Sequence, residues 1–308
     1  MWTKLWMLAG IAAFISWFVV CQESAQAQLL ANQSATISQV TLPGTSTYQG
    51  IPVRELSGLA WDADEQQLIA VSDYGYVYRF RLHRQRDRLV EVTPVFAARL
   101  TNTAADAGGS KSHKRINAEG VALHARELVI AEENPATLGR FRFDGQHLGN
   151  MSVPEPANDI SRYKKKGRGL ESVIWHPQFG VITAPESPLR KTPKNLHTVY
   201  AKGYAWAFPH FGPRSRLKGM ALFPDGKLLV LERTRLGNKS TQVASLRQVD
   251  LGKCDASDVC EATLLTTLPP GAENFEGLAL LDAHSALIVS DNGGNSNTDT
   301  TFALIVLP

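Results

Sequence analysis

The sequence has little cysteine and no strong charge of one sign. Its 308 residues include three cysteines, and the formal net charge is only +3. Nucleic-acid-binding domains usually present a strongly basic face with interleaved aromatic residues, so we expect no nucleic-acid partner. After residue 21 no apolar run is long enough to cross a membrane. The composition is that of a globular chain with a sizeable core, and we expect a monomer.

The one long apolar run lies at the N-terminus. Lys4 precedes an apolar stretch from Leu5 to Cys21, and Ala25 and Ala27 form a small-residue cleavage site. This pattern predicts a signal peptide over residues 1 to 27 and export to the periplasm or the extracellular space. The alternative is an uncleaved anchor, because the apolar run is long for a signal peptide. Only that alternative would attach the protein to a membrane.

Removal of the leader leaves two cysteines, Cys254 and Cys260, in the segment CDASDVC. An exported protein meets an oxidising compartment, which favours a disulfide across this short polar loop. A pair of free thiols is the alternative. Metal binding is not favoured, because no histidine lies beside the cysteines.

The mature chain also lacks a helical period of useful length, which argues against a helical fold. One pattern occurs five times instead: a short apolar strand, a polar turn and a second apolar strand. The copies are SGLAWDADEQQLIAVSD (57 to 73), EGVALHARELVIAEE (119 to 133), ESVIWHPQFGVITAPE (171 to 186), KGMALFPDGKLLVLER (218 to 233) and EGLALLDAHSALIVSD (276 to 291). Each copy predicts a β-hairpin.

The spacing of the copies indicates the architecture. A repeat of about fifty residues that contains a hairpin and further strand-like runs is typical of a four-stranded propeller blade. We therefore predict an all-β fold, a single β-propeller over residues 28 to 308 with five or six blades of four antiparallel strands. A sixth blade could come from residues 187 to 212. A β-sandwich or barrel with chance similarity between hairpins is the structural alternative.

Hairpin geometry brings both ends of each copy to one mouth of the propeller channel. The strands are antiparallel, and equivalent positions in different blades form rings. The starting ring is Ser57, Glu119, Glu171, Lys218 and Glu276, and the ending ring is Asp73, Glu132 or Glu133, Glu186, Glu232 and Asp291. The turn histidines His124, His176 and His284 then face the opposite mouth, which removes the usual general base from the acid-rich one.

Carboxylates packed together repel one another unless a cation compensates them. Hard divalent cations, calcium first, are the natural candidates, because calcium takes several oxygen ligands. The predicted metal ligands are Glu119, Glu171, Glu186, Glu232, Glu276, Asp291 and Asn292. Lys218 and Arg233 are cationic interruptions of the two rings.

Basic clusters enter the same mouth. SHKR (112 to 115) precedes Glu119, YKKKGR (163 to 168) precedes Glu171, and RSR (214 to 216) precedes Lys218. Such clusters are often only solvated loops, but lysine and arginine also hold phosphate oxygens. We predict that Arg168, Lys218 and Arg233 bind substrate. Glu171 and Glu276 are the predicted catalytic residues, acting beside a metal that polarises a phosphoryl group and activates water.

These motifs resemble those of an exported bacterial family, the phytase-like or "esterase-like activity of phytase" proteins. The resemblance rests on SGLAWD with AVSD, AEGVAL with AEEN, GLESVI with APES, LKGMALFPDGKLLVLER, and NFEGLAL with SDN. It covers about the whole mature chain and implies a β-propeller, secretion, and phosphoesterase or esterase activity. By motif position, the site residues that the resemblance implies are Glu119, Glu171, Glu186, Glu232, Arg233, Glu276, Asp291 and Asn292. Lys218, where other copies have an acid, and the segment GGNSNTD after Asn292 depart from the pattern.

The sequence thus predicts a secreted, metal-dependent phosphoester hydrolase that acts on a small molecule. One alternative is a non-catalytic propeller that binds a small molecule, a sugar or an envelope protein. The other is a carboxyl-ester or lactone hydrolase that uses a metal-bound water. A serine triad is not favoured, because no G-x-S-x-G element is present.

Overall fold

Strands make up nearly all of the regular structure. The computed structural model describes residues 35 to 101, 115 to 165, 168 to 237 and 241 to 308. The predicted signal peptide lies outside the described residues, as do residues 112 to 114 and 166 to 167 of two basic clusters. Among the residues described, helix is limited to the 3₁₀ turn Ile160–Arg162. No described helix is long and apolar enough to span a bilayer.

Five four-stranded antiparallel sheets form the blades, together with a small hairpin near the start. The first described strand is β1 (Ile37–Leu42), and the hairpin is β2 (Thr47–Tyr48) with β3 (Ile51–Pro52). Blade 1 contains β4 (Leu56–Asp62), β5 (Gln67–Ser72), β6 (Tyr76–Gln85) and β7 (Arg88–Arg99). Blade 2 contains β8 (Ala118–His124), β9 (Glu127–Glu132), β10 (Thr137–Phe141) and β11 (His147–Met151).

The remaining blades follow the same order from the centre outward. Blade 3 contains β12 (Leu170–His176), β13 (Gly180–Pro185), β14 (Leu196–Ala201) and β15 (Tyr204–Pro209). Blade 4 contains β16 (Arg216–Leu222), β17 (Leu228–Arg235), β18 (Gln242–Cys254) and β19 (Cys260–Thr267). Blade 5 contains β20 (Asn274–Asp282), β21 (Ser285–Asp291) and β22 (Thr300–Val306), and β1 is its outermost strand.

The propeller therefore has five blades, which settles the choice between five and six. The stretch from 187 to 212 supplies β14 and β15, the outer strands of blade 3, rather than a separate blade. Blade 5 is completed by pairing β1 with β22, in a register that places Ile37 opposite Ile305 and Leu42 opposite Thr300. The innermost strands of neighbouring blades pack against one another, and β20 closes the circle against β4.

The core lies between the blades. Leu68, Ile69, Ala70 and Val71 of β5 are all fully buried, because each middle strand is covered on both faces by neighbouring blades. This is why the sequence shows continuous apolar runs rather than strict alternation. The predicted disulfide between Cys254 and Cys260 is confirmed, and it joins the tips of β18 and β19.

The innermost strand of every blade has a β-bulge near its start. The register shifts between Leu56 and Gly58, Ala118 and Gly120, Leu170 and Ser172, Leu217 and Gly219, and Phe275 and Gly277. The extra residues are Ser57, Glu119, Glu171, Lys218 and Glu276, which are the five members of the starting ring. A bulge bends the strand and re-aims a side chain, so five bulges produce one ring.

Glycine follows the bulge residue in four of the five blades because neighbouring inner strands nearly touch. A Cβ on Gly58 would lie 2.9 Å from the Cα of Gly120, and a Cβ on Gly120 would lie 2.8 Å from the Cα of Ser172. No side chain fits at such distances. These glycines are explained by packing around the channel rather than by ligand binding.

Candidate functional site

The bulges bring three acids from three blades together at one mouth of the channel. One carboxylate oxygen from each of Glu119, Glu171 and Glu276 lies within 4.8 Å of the others, and all three residues are buried. Oxygens that bind one calcium ion at about 2.4 Å can be up to about 5 Å apart. The spacing of this acidic triad is therefore one that could hold a metal ion.

A buried ammonium group already contacts this cluster. Lys218 is 4% exposed. Its Nζ contacts the carboxylate of Glu171 and lies 3.0 Å from Glu276 Oε1 and 3.1 Å from Glu186 Oε1. Burial alone would lower the pKa of Lys218, but these carboxylates outweigh it and raise the pKa well above its ordinary value. Lys218 is charged at any physiological pH.

Arg233 adds a second buried cation on the same oxygens. Its Nη1 lies 2.8 Å from Glu276 Oε1, and its Nη2 lies 3.5 Å from Glu186 Oε1. The same Nη1 also contacts the side-chain oxygen of Asn274. Burial would raise the pKa of Glu276, but Lys218 and Arg233 together hold it below the ordinary value. Glu276 is therefore ionised.

Glu186 is the most strongly compensated acid of the mouth. Besides Lys218 and Arg233, its carboxylate contacts Arg216 and lies 2.5 Å from Arg168 Nη1. Burial opposes ionisation, but the four cations lower the pKa of Glu186 to about 2. The negative charge of Glu186 is thus balanced by basic side chains of the protein itself.

On the opposite side of the mouth the acids have raised pKa values and form no ion pair with a described basic side chain. Burial raises the pKa of Glu119 well above its ordinary value, and the carboxylates of Glu171 and Asp73 add to this. Burial also raises the pKa of Asp73 to about 8, although Ser57 donates a hydrogen bond to its Oδ1. Neither Glu119 nor Asp73 forms an ion pair with a basic side chain in the described part of the chain.

Two amide side chains bridge the acids on this side. Asn117 Nδ2 donates to Glu119 Oε1 at 3.0 Å and to Glu133 Oε2 at 2.9 Å. Asn274 Nδ2 donates to Glu276 Oε1 at 2.9 Å and to Asp291 Oδ2 at 3.2 Å. These bonds connect Glu119 to Glu133 and Glu276 to Asp291. In blades 2 and 5 the acid that starts the hairpin is therefore linked to the acid that ends it.

Glu232 lies in a separate cluster. Successive residues of β17 point to opposite faces of the sheet, so Arg233 faces the mouth and Glu232 faces blade 3. The fully buried carboxylate accepts hydrogen bonds from His197 Nε2 (3.0 Å), Ser215 Oγ (2.7 Å), Phe211 N (2.9 Å) and Arg247 Nη1 (2.7 Å). Burial opposes its ionisation, but His197 and Arg247 lower the pKa of Glu232 to about 2. These contacts join blade 4 to blade 3, because His197 lies on β14 and Phe211 follows β15.

Asn292 is likewise occupied by its own loop. Its Oδ1 accepts hydrogen bonds from the backbone N–H of Glu55 (3.0 Å) and Gly294 (3.2 Å), and its Nδ2 donates to the carbonyl of Thr298 (3.1 Å). These bonds fix the Gly- and Asn-rich segment that departs from the repeat pattern. Both ends of the amide are therefore engaged, and the bond from Glu55 ties this loop to the residue before β4.

A cavity of about 270 Å³ opens beside Glu186, where two of the basic clusters meet. Six basic side chains line it: Lys164, Lys165, Arg168, Lys194, Arg214 and Arg216. Its acidic lining residue is Glu186, which is already paired with Arg168 and Arg216. Burial and the nearby Lys194 ammonium lower the pKa of Lys164. The cavity therefore has a surplus of positive charge.

Arg115, the one described residue of the cluster SHKR, does not line this cavity. The guanidinium of Arg115 lies over the ring of Tyr74, 4.3 Å from the ring centre, and that of Arg54 lies 4.2 Å from the same centre. Residues 112 to 114 are outside the described ranges.

A histidine that the sequence did not point to lies in the cavity wall. His210 lines the cavity with Glu186 and Ser215, so the expectation of an acid-rich mouth without histidine is wrong. Burial, and then the neighbouring His197, lower the pKa of His210 to about 4, so its ring is neutral at pH 7. His210 directly follows β15, in the stretch from 187 to 212 that could have supplied a sixth blade. Only the pairing of β14 with β15 places it here.

The opposite mouth is apolar. A cavity of about 190 Å³ there is lined by inner-strand residues of all five blades, including Trp61, Met220 and Leu280. His124 stacks on Trp175 at this end, with ring centres 3.3 Å apart. The two cavities therefore differ sharply in polarity: the one beside Glu186 is lined by basic side chains, and this one by apolar residues.

Comparison with known proteins identifies the family. The model of the Phytase-like family, described as "Esterase-like activity of phytase", matches residues 51 to 294. The chain belongs to the Phytase-like family. This confirms the resemblance seen in the five motifs. No curated protein matches the chain.

Solved propellers resemble this Phytase-like chain only distantly. The PQQ-bound aldose sugar dehydrogenase from Streptomyces coelicolor is 11% identical, with a TM-score of 0.44 and coverage of 89% of this chain and 99% of that one. Virginiamycin B lyase from Staphylococcus aureus is 9% identical, with a TM-score of 0.44 and coverage of 88% and 100%. A gluconolactonase from Xanthomonas campestris is 16% identical, with a TM-score of 0.40 and coverage of 92% and 93%. At this level of similarity their activities say nothing about this chain.

Proposed function

We propose that this Phytase-like propeller is an exported hydrolase that cleaves an ester bond of a small molecule bearing phosphate. One observation carries the proposal: the cavity with six basic side chains adjoins the buried carboxylate ring, and Glu186 belongs to both. An anionic group held in the cavity would place the rest of the molecule beside Glu171 and Glu276. The disulfide is compatible with export to the periplasm or the extracellular space.

The cavity is suited to phosphate by charge and by donor geometry. A guanidinium group has five N–H donors in a planar fork, so one that already holds a carboxylate can still donate to a phosphate. Arg168 and Arg216 are in this position, because each uses Nη1 on Glu186. The neighbouring lysines add positive charge without a fixed direction. A neutral lactone or sugar would gain little from these groups, which disfavours the carboxyl-ester alternative.

A hard divalent cation, calcium first, is the proposed cofactor. The triad has the right spacing, but Glu171 and Glu276 already contact Lys218 or Arg233. We therefore place the cation on the side of Glu119, where Asp73, Glu133 and Asp291 have raised pKa values and form no ion pair with a described basic side chain. A bound cation there would stabilise the ionised forms of these acids. When bound, such an ion would supply Lewis-acid polarisation of the phosphoryl group.

The remaining roles fall to two carboxyl groups with opposite pKa shifts. Burial raises the pKa of Glu171 well above its ordinary value, and Lys218 offsets only part of this. A raised pKa favours uptake of a proton, so Glu171 is the group proposed to donate a proton to the leaving oxygen. The pKa of Glu276 is lowered, so this residue stays ionised and can accept a proton from water. Two neighbouring carboxyls pushed apart in this way are a common acid and base pair.

The experiment compares phosphate and carboxyl esters on one protein. Wild type is assayed with p-nitrophenyl phosphate and p-nitrophenyl acetate, in calcium and in EDTA. We expect calcium-dependent release from the phosphate ester, and a loss of about 100-fold or more in kcat for Glu171→Gln. The matched control is Glu127→Gln, on the exposed pair with Arg140 in blade 2.

Two results would contradict the proposal. Cleavage of the acetate but not the phosphate would point to the carboxyl-ester alternative. Binding of inorganic phosphate without turnover of either ester would point to a non-catalytic propeller.

A further inference from the structure

We infer that the Lys218 ammonium is a built-in cation, which takes the place of a metal ion among Glu171, Glu186 and Glu276. The inference concerns which cation occupies this part of the mouth. It does not depend on whether the proposed hydrolysis takes place.

The contacts of Lys218 are those of a coordinated cation rather than of a surface ion pair. Its Nζ meets three carboxylates from blades 3 and 5, through the oxygens Glu171 Oε1, Glu186 Oε1 and Glu276 Oε1. The side chains of Lys218 and Glu171 are each 4% exposed, and those of Glu186 and Glu276 are 9% exposed. An ammonium group has three N–H donors, so the three carboxylates can use all of them.

The position of Lys218 in the ring explains why it reaches these acids. It occupies the bulge of β16, which is equivalent to the bulges that carry Glu119, Glu171 and Glu276. The fold therefore points this side chain at the same spot as the acids of the other blades. A positive side chain there turns an otherwise acidic ring into an internally paired one.

Arg233 reinforces this pairing from the ending ring. It shares Glu276 Oε1 and Glu186 Oε1 with Lys218. Because Lys218 and Arg233 are part of the chain, they stay paired with these acids at any calcium concentration. We therefore expect the folded protein to keep this side of the mouth intact without metal, while any calcium binds next to Glu119.

The test removes the charge of Lys218 and keeps its length. Lys218→Met removes the ion-pair partner of Glu171 and leaves Glu276 with Arg233, while Glu186 keeps Arg168, Arg216 and Arg233. A buried charge without its partner is strongly destabilising. We expect the Tm in EDTA to fall by on the order of 10 °C. Calcium should restore most of this loss, and titration calorimetry should show one more bound calcium than in wild type. Lys227→Met, on the exposed pair with Asp225, is the matched control and should change neither quantity.

Two further variants keep the test decisive if Lys218→Met folds poorly. In proteins that retain Lys218, Glu119→Gln should weaken calcium binding, whereas Glu171→Gln should leave calcium affinity within a few-fold of wild type. The double variant Lys218→Met with Glu171→Gln should lose the additional calcium.

The inference is overturned by either of two results. One is a wild-type protein whose calcium binding disappears in Glu171→Gln, because a metal would then occupy this position in the native chain. The other is a Lys218→Met protein whose stability calcium does not improve beyond the wild-type response, whether because the variant is already stable or because it stays unfolded.

Discussion

Replacement of Asp73 by asparagine should stabilise the protein, although it removes a charge from a predicted functional ring. Asp73 ends the hairpin of blade 1 and accepts a hydrogen bond from Ser57. Burial, followed by the nearby carboxylates of Glu276 and Asp291, raises its pKa from 3.8 to about 8. Asparagine has the same shape, keeps an acceptor oxygen for Ser57 and carries no charge.

The size of the effect follows from the linkage between protonation and folding. A carboxyl whose pKa is raised in the folded state does not lower the free energy of unfolding at pH values below its unfolded pKa, because it is then protonated in both the folded and the unfolded state. The cost grows as the pH rises from about 3.8 and is complete above about 8. At pH 7 the difference is about three pKa units, or about 4 kcal/mol at most. Neighbouring acids that also take up protons will relieve part of it, so we expect about 2 kcal/mol.

Thermal unfolding in EDTA measures this directly. At about 2 to 4 °C for each kcal/mol, Asp73→Asn should raise the Tm at pH 7 by about 6 °C. The gain should be larger at pH 9 and should nearly vanish at pH 4. Asp64→Asn, in the exposed turn between β4 and β5, is the control and should show no such trend. A gain for Asp73→Asn that is the same at all three pH values, or a loss at pH 9, would refute the reasoning.

The other predictions concern phosphate binding and the buried contacts between blades 3 and 4. The double variant Arg168→Ala and Arg216→Ala should weaken binding of inorganic phosphate by 10-fold or more, since about 1.4 kcal/mol of lost interaction is 10-fold. Calorimetry would measure this, with Arg140→Ala on blade 2 as the unaffected control. Glu232→Gln should destabilise the protein by about 3 kcal/mol, because Arg247 then loses its buried partner. Phosphate affinity should not change, and a selective loss of phosphate binding at unchanged Tm would show that Glu232 belongs to the site.

The architecture was largely predictable because the blades repeat a physical requirement. Every middle strand is buried on both faces, so apolar runs recur along the chain with turns of similar length. Blade number was not predictable, because β14 and β15 read like any two strands. Their assignment to blade 3, and that of β1 to blade 5, depends on pairing between segments whose separation the sequence does not specify.

From the repeat alone, each position of the candidate site could be predicted only to within one residue. The repeat aligns Glu119, Glu171 and Glu276, and the bulges do bring them together. At the end of β17 the sequence offers Glu232 and Arg233 side by side, and adjacent strand residues point to opposite faces. The structure directs Arg233 to the mouth and Glu232 to the core. The repeat alone does not settle that choice.

The pairing of β1 with β22 has a consequence for how the molecule is made. Ile37 and Ile305 are partners in one sheet, although almost the whole described chain separates them. The entropy of bringing such distant segments together must be offset before the last sheet forms. A nascent chain emerging N-terminus first therefore carries β1 without its neighbour until β22 has been made. A break before Thr300 would leave four complete sheets and a fifth in which β1 has no strand to pair with.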